Sequence, residues 1–190
     1  MKKQKKWIYI ILTSLLFIFI LSGCSKKEGE TNAQNGQQKR TEYTNSNGNF
    51  SISLEGDWIQ SETINEDAIL LDNEDQSLTV MVQKFSKEGV KATSGAESLD
   101  DFEKFYKENA IKNIIEIANK IIIQEVSNEN MLFVKAEEIE ATQENQTSKL
   151  FNAYLESDSS FYVFSITGTE KLYNKNIKNL KESIQTLNEK

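Results

Sequence analysis

Phe161-Tyr162-Val163-Phe164-Ser165-Ile166-Thr167 is the most β-prone run in the chain, made mostly of aromatic and β-branched residues. Alternation along a strand sends Phe161, Val163 and Ser165 to one face and Tyr162, Phe164 and Ile166 to the other. Both faces are apolar, so the segment needs cover on both sides. It reads as the central strand of a sheet. Ser157-Asp158-Ser159-Ser160 turns the chain into it and Gly168 breaks it.

Working outward, Ser148 to Glu156 reads as the preceding strand, with Leu150 and Tyr154 alternating against Phe151 and Leu155. A hairpin turn over residues 143–146 joins it to a strand from Leu132 to about Ala141, with Leu132, Val134 and Ala136 on one face. Ile121 to Val126 precedes that strand, and Asn128-Glu129-Asn130 turns the chain between the two. On the other side of the central run, Thr169 can cap a helix ending near Leu187. Its stripe is Tyr173, Ile177, Leu180, Ile184 and Leu187. Two heptads are too few for a coiled coil, so this helix packs on the sheet.

Further upstream, Phe50, Ile52 and Leu54 alternate strictly with Ser51 and Ser53, the pattern of a half-buried strand. Ala68–Leu71 and Leu78–Phe85 are two more strands, separated by an Asp72–Asp75 turn. Polar Lys87–Gly95 reads as a loop. Ser98-x-x-Asp101 then has the spacing of a capping box. Leu99, Phe102, Tyr106, Ala110, Ile114 and Ile117 step at three and four along a helix ending near Asn119. The order is βββαββββα. Short hairpins imply a mainly antiparallel sheet of about six to seven strands with helices on its faces, an α+β sandwich.

Phe50-x-Ile52-x-Leu54-x-x-x-Trp58 at the start resembles the opening of the Mog1/PsbP-like family. Tyr162-x-Phe164-x-Ile166 and the later Lys181-Glu182-Ser183-Ile184 resemble its close. The family usually has a proline before the tryptophan, where this chain has Glu55-Gly56. The resemblance spans about Tyr43 to Leu187 and implies an αβα sandwich. It also implies an accessory or partner-binding role: one subset of the family serves photosystem II and another binds a Ran GTPase. The matched positions are core positions, so no functional residue carries over.

The N-terminus has its own signature. Met1–Lys6 holds four lysines and no acid, and Trp7–Leu21 is an apolar run of 15 residues. That is the length of a signal-peptide core; a membrane span needs about 20. Leu21-Ser22-Gly23-Cys24 closes the run and resembles the lipobox of bacterial lipoproteins. The resemblance implies cleavage between Gly23 and Cys24 by signal peptidase II and a diacylglyceryl group on the Cys24 sulfur. Two acyl chains anchor stably where a single chain gives only marginal binding. Residues 1–23 are then a signal peptide and residues 24–42 a tether. The tether has no aromatic or branched aliphatic residue to bury and can reach about 23 Å as a coil. Residues 43–190 form the displayed domain. The expected location is the extracytoplasmic face of the cell membrane.

The chain carries 22 basic and 29 acidic side chains, a net charge of −7, and the leader removes only lysines. An acidic domain repels nucleic-acid phosphates and is not drawn to anionic headgroups. No nucleic-acid partner is expected, and the membrane contact runs through the lipid. The only cysteine is the acylation site, so no disulfide forms. With no histidine in the chain, Ser-His-Asp catalysis and histidine-ligated zinc are excluded.

Three constellations remain. Asp72, Glu74 and Asp75 are oxygen donors of the kind Ca²⁺ takes, but Ser77 stands where an EF-hand loop needs glycine, so they are weak metal candidates on a solvated turn. Glu137, Glu138, Glu140 and Glu144 form an acidic run. Glu138 and Glu140 continue the Val134–Ala136 face, as in a strand leaving the core for solvent. Trp58, Tyr154, Phe161 and Tyr162 could line a pocket, although aromatic residues on strands more often fill cores. No catalytic residue and no cofactor is expected. The expected function is a non-enzymatic accessory module that binds a protein or envelope partner. A small-ligand or Ca²⁺ binder is the alternative, and a carboxylate-based envelope hydrolase is the third reading.

Overall fold

Strand β9 (Ser160–Thr169) lies fourth of seven in a continuous antiparallel sheet, as its two apolar faces require. The computed structural model of the chain describes residues 40–63, 65–143 and 146–190. The sheet runs β3 (Ile59–Ser61), β4 (Ala68–Asp72), β5 (Leu78–Ser86), β9, β8 (Gln146–Glu156), β7 (Phe133–Gln143), β6 (Ala118–Gln124). Every pairing in it is antiparallel. A second, three-stranded sheet joins β1 (Arg40–Thr44), β2 (Phe50–Glu55) and β10 (Asn188–Glu189).

Each face of the large sheet is covered. Phe161 and Val163 face one layer, built on helices α1 (Lys87–Ser94) and α2 (Leu99–Tyr106). Tyr162, Phe164 and Ile166 face the other, where helix α4 (Glu170–Ser183) and the small sheet pack together. The alternation in β9 therefore divides the molecule into two cores. The stripe expected on α4 is the one buried: Tyr173, Leu180, Ile184 and Leu187 join the second core, with Ile177 packed against it.

Lys87–Gly95 is a helix and not the loop its composition suggests. Ser86 caps it, its hydroxyl accepting the Gly89 N–H at 3.1 Å. Gly95 ends it at φ +77°, a left-handed conformation that costs glycine little. Val90 is the one residue it buries, so no apolar stripe announces it. β1 begins at Arg40, three residues before the Tyr43 start expected for the domain. Its polar residues pair with β2 through backbone bonds that composition does not reveal.

Ser98 caps α2 as expected and accepts the Asp101 N–H. Leu99, Phe102 and Tyr106 are buried, but the stripe then shifts. A π turn over Lys107–Ile111 widens the helix before its last segment, α3 (Lys112–Glu116). Five residues in that turn rotate Ile111 inward and leave Ile117, expected in the stripe, 44% exposed. The helix stops before Asn119, since Ala118 already belongs to β6. Leu132, placed on an inward face by alternation, is instead exposed just ahead of β7.

Asn128 does more than turn the chain. It is buried, and its amide donates to the Ile184 carbonyl at 2.7 Å and the Leu187 carbonyl at 3.1 Å, while its oxygen accepts the Asn130 N–H. It thus satisfies the Leu187 carbonyl just past the helical turn and adds a second donor to the Ile184 carbonyl, which also accepts the Leu187 N–H at 3.1 Å. Asn128→Ala is expected to lower stability by about 1–3 kcal/mol, the cost of stranding a buried acceptor. Urea denaturation followed by circular dichroism checks this; an unchanged midpoint would refute it.

Candidate functional site

β7 carries two consecutive glutamates, and strand geometry sends them to opposite faces. Glu137 enters the α2 side and is 2% exposed. Its Oε1 accepts the Tyr154 hydroxyl at 3.0 Å, and its Oε2 lies 2.8 Å from the Lys107 Nζ. Lys107 also reaches Glu103 Oε1 at 2.6 Å, one turn back on the helix. Lys135 bridges Glu103 at 3.3 Å and Asp100. The result is an alternating chain of charges, Asp100, Lys135, Glu103, Lys107 and Glu137, ending on the Tyr154 phenol. A strand carboxylate is thereby tied to the helix that lies over it.

The same side of the sheet buries further polar groups. Ser165 donates to the Asn152 oxygen at 2.6 Å, and the Tyr106 hydroxyl reaches Gln83 at 3.5 Å. Burial pushes the Tyr106 and Tyr154 phenols well above the usual tyrosine range, and the Glu137 charge adds to the effect at Tyr154. Both stay protonated and act as donors. Burial alone would pull the Lys107 ammonium down; its bonds to Glu103 and Glu137 outweigh this and hold it above the ordinary lysine value. The Tyr154 phenol and the Lys107 ammonium therefore serve as donors that hold Glu137 in place.

Glu138, on the other side, has a parallel arrangement. It accepts the Tyr173 hydroxyl at 2.9 Å and lies 3.7 Å from Lys149 and 3.9 Å from Lys181. Lys149 also lies 3.7 Å from Glu140. The acidic run therefore does not leave the core for solvent at Glu137 and Glu138. Each carboxylate has a phenol and a lysine supplied by another element. The nature of those partners was not legible locally, although two clues were present: Glu137 shares the parity of core residue Ile139, and Glu103 and Lys107 have helix-pair spacing.

Beside the seam opens a cavity of about 360 Å³. Ile123, Val126 and Val134 form apolar parts of its wall, and Glu103, Glu125, Glu137 and Lys135 form charged parts, with Lys135 bonded to Glu103. It adjoins exposed apolar side chains. Ile121 and Ile123 lie at alternate positions on the α2 side of β6, and Leu132 and Phe133, at the start of β7, are also exposed. Ile123 is 77% exposed and Phe133 63%. β6 is also an outer strand of the large sheet, with β7 as its only partner among the described residues.

The other sequence-level candidates fall elsewhere. Asp72 accepts hydroxyls from Ser61 at 2.9 Å and Thr79 at 2.6 Å, which ties together β3, β4 and β5. Asp75 accepts the Ser77 N–H at 3.1 Å within the turn, and Glu74 is exposed beside it. Among the described residues, no group of three or more acidic or cysteine side chains is placed to hold a metal ion. Of the four aromatic pocket candidates, Tyr154 alone lines the cavity. Trp58 packs against the second core, and Phe161 and Tyr162 fill opposite cores. Leu21, Ser22, Gly23 and Cys24 and tether residues 24–39 lie outside the described residues. No described helix is long and apolar enough to cross a membrane.

No protein-family model matches the chain, and no curated protein matches its sequence. Solved structures do. The Ran-binding protein Mog1p of Saccharomyces cerevisiae is 9% identical with a TM-score of 0.54, over 80% of this chain and 96% of that one. The cyanobacterial PsbP (CyanoP) of Synechocystis is 8% identical with a TM-score of 0.51, over 85% of this chain and 98% of that one. At such identities the likeness concerns the fold, and it is the Mog1/PsbP-like architecture that the opening and closing segments implied.

Proposed function

We propose that the protein is a lipoprotein of the extracytoplasmic membrane face, anchored through an acylated Cys24, whose α+β domain binds a protein or envelope partner without catalysing a reaction. The observation that carries the binding role is the pair Ile121 and Ile123, exposed side by side on one face of the outer strand β6. Large apolar side chains left exposed together on an open sheet edge mark interaction sites. Mog1p, a Ran-binding protein with this fold, shows that the architecture can serve to bind another protein. The carboxylates of buried Glu137 and half-buried Glu138 are already held by phenols and lysines, which fits a non-catalytic domain. The net charge of −7 argues against a nucleic-acid partner.

The anchor rests on the leader: a basic start, a short apolar core, and Leu21-Ser22-Gly23-Cys24. Cys24→Ala is expected to abolish lipid labelling and either release the protein from the membrane fraction or leave an unprocessed precursor. Wild-type processing and labelling in that variant would overturn the anchor.

A further inference from the structure

The two outer strands of the large sheet differ. β3 has three residues, too few to template another strand. β6 has seven, including Ile121-Ile122-Ile123, and no proline. Its one irregularity lies at its start, between Ala118 and Lys120. That irregularity and Lys120 protect only its start; from Ile121 on, the apolar edge is a template for an added strand.

The side chains along that edge say what kind of strand fits. Ile121, Ile123 and Glu125 stand at alternate positions, on the side where Ile121 stands beside Ile139 and Ile123 beside Glu137. Glu125 is exposed and lies at the cavity, whose wall also carries Glu103 and Glu137, both bonded to Lys107, and Lys135, bonded to Glu103. The opposite side differs: Lys120 is exposed there, and Lys181 donates to Gln124 at 2.6 Å. One side therefore runs from apolar to Glu125, and the other carries Lys120, Ile122 and Lys181 beside Glu138 and Glu140 of β7.

We propose that the β6 edge receives an extended segment of a partner protein, added antiparallel to the sheet, with one basic and two apolar side chains at alternate positions. The apolar pair covers Ile123 and Ile121, and the basic group enters the cavity mouth beside Glu125. The residues between them are neutral, since they meet Lys120 and Lys181. Antiparallel addition continues the pattern of the whole sheet and is slightly the more stable pairing. A second copy of this chain is the weaker occupant, because two chains of net charge −7 repel. This inference rests on the partner-binding reading and specifies its surface and chemistry.

The test uses the full acylated chain in nanodiscs and the peptide Thr-Arg-Thr-Val-Thr-Val-Thr. Amide exchange in residues 118–124 is expected to slow on binding. A peptide with glutamate for arginine should bind roughly tenfold more weakly, through one lost attraction and one added repulsion. Glu125→Lys should invert that preference, and Ile123→Lys should abolish protection by either peptide. Equal protection by both peptides, no protection by either, or protection that grows with protein concentration alone would overturn the proposal; the last would point to a second copy. Crosslinking in intact cells separates the two claims. A partner captured equally well by wild type and Ile123→Lys removes the edge assignment and leaves the partner-binding reading standing.

Discussion

Lys107→Met is expected to cost about 3 kcal/mol of folding stability, the low end of the range for removing one partner of a buried ion pair. Glu137 is the reason. Its side chain is 3% exposed against 26% for Lys107, so the lysine can reach water and the carboxylate cannot. Methionine keeps the bulk of the stem but leaves the Glu137 charge with only the Tyr154 hydroxyl. Adding Glu137→Gln should recover most of the loss, since an amide still accepts from Tyr154 and carries no charge to desolvate. Urea denaturation of wild type, Lys107→Met and the double variant reads both effects. A double variant no more stable than Lys107→Met would show that the charge is not the cause.

Phe102→Ala is expected to cost about 4 kcal/mol, within the range for truncating a buried aromatic residue. Phe102 is fully buried and stacks on Phe161 of the central strand, ring centroids 4.7 Å apart and planes 7° from parallel. Phe85 and Tyr106 pack at its edges, at 5.2 and 6.2 Å. No other large side chain can fill the space without moving α2. The loss should extend to the seam, because α2 carries Glu103 and leads directly into Lys107. Slowing of amide exchange along β7 should therefore weaken together with the global stability. Phe102→Leu should cost markedly less, as it keeps most of the volume. Equal effects from leucine and alanine in thermal denaturation would contradict the packing argument.

Much of the fold was legible because its determinants are local. The doubly apolar Phe161–Thr167 run announced a central strand, and Ser98 with its three-and-four stripe announced the start of α2. Where local signals were weak, the reading failed. α1 buries one residue, so its polar sequence looked like a loop. β1, β3 and β10 are short or polar and exist through backbone pairing with distant strands, which side-chain pattern does not encode. The π turn after Tyr106 shifts the stripe by one residue, a change no periodic reading anticipates.

The proposed binding surface divides in the same way. That β6 is apolar was evident from Ile121-Ile122-Ile123; that it stands at the edge depends on the strand order, which chain order leaves open. Glu137 looked like one acid among four. Its burial, and its meeting with a helix lysine and a phenol from the next strand, required the layers to be assembled. The primary structure by itself settled the longer, patterned strands and helices and which of their faces are greasy, because those depend on residues a few positions apart. The assembled layers alone decided which strand lacks a neighbour and which charges meet, because those contacts join residues remote along the backbone.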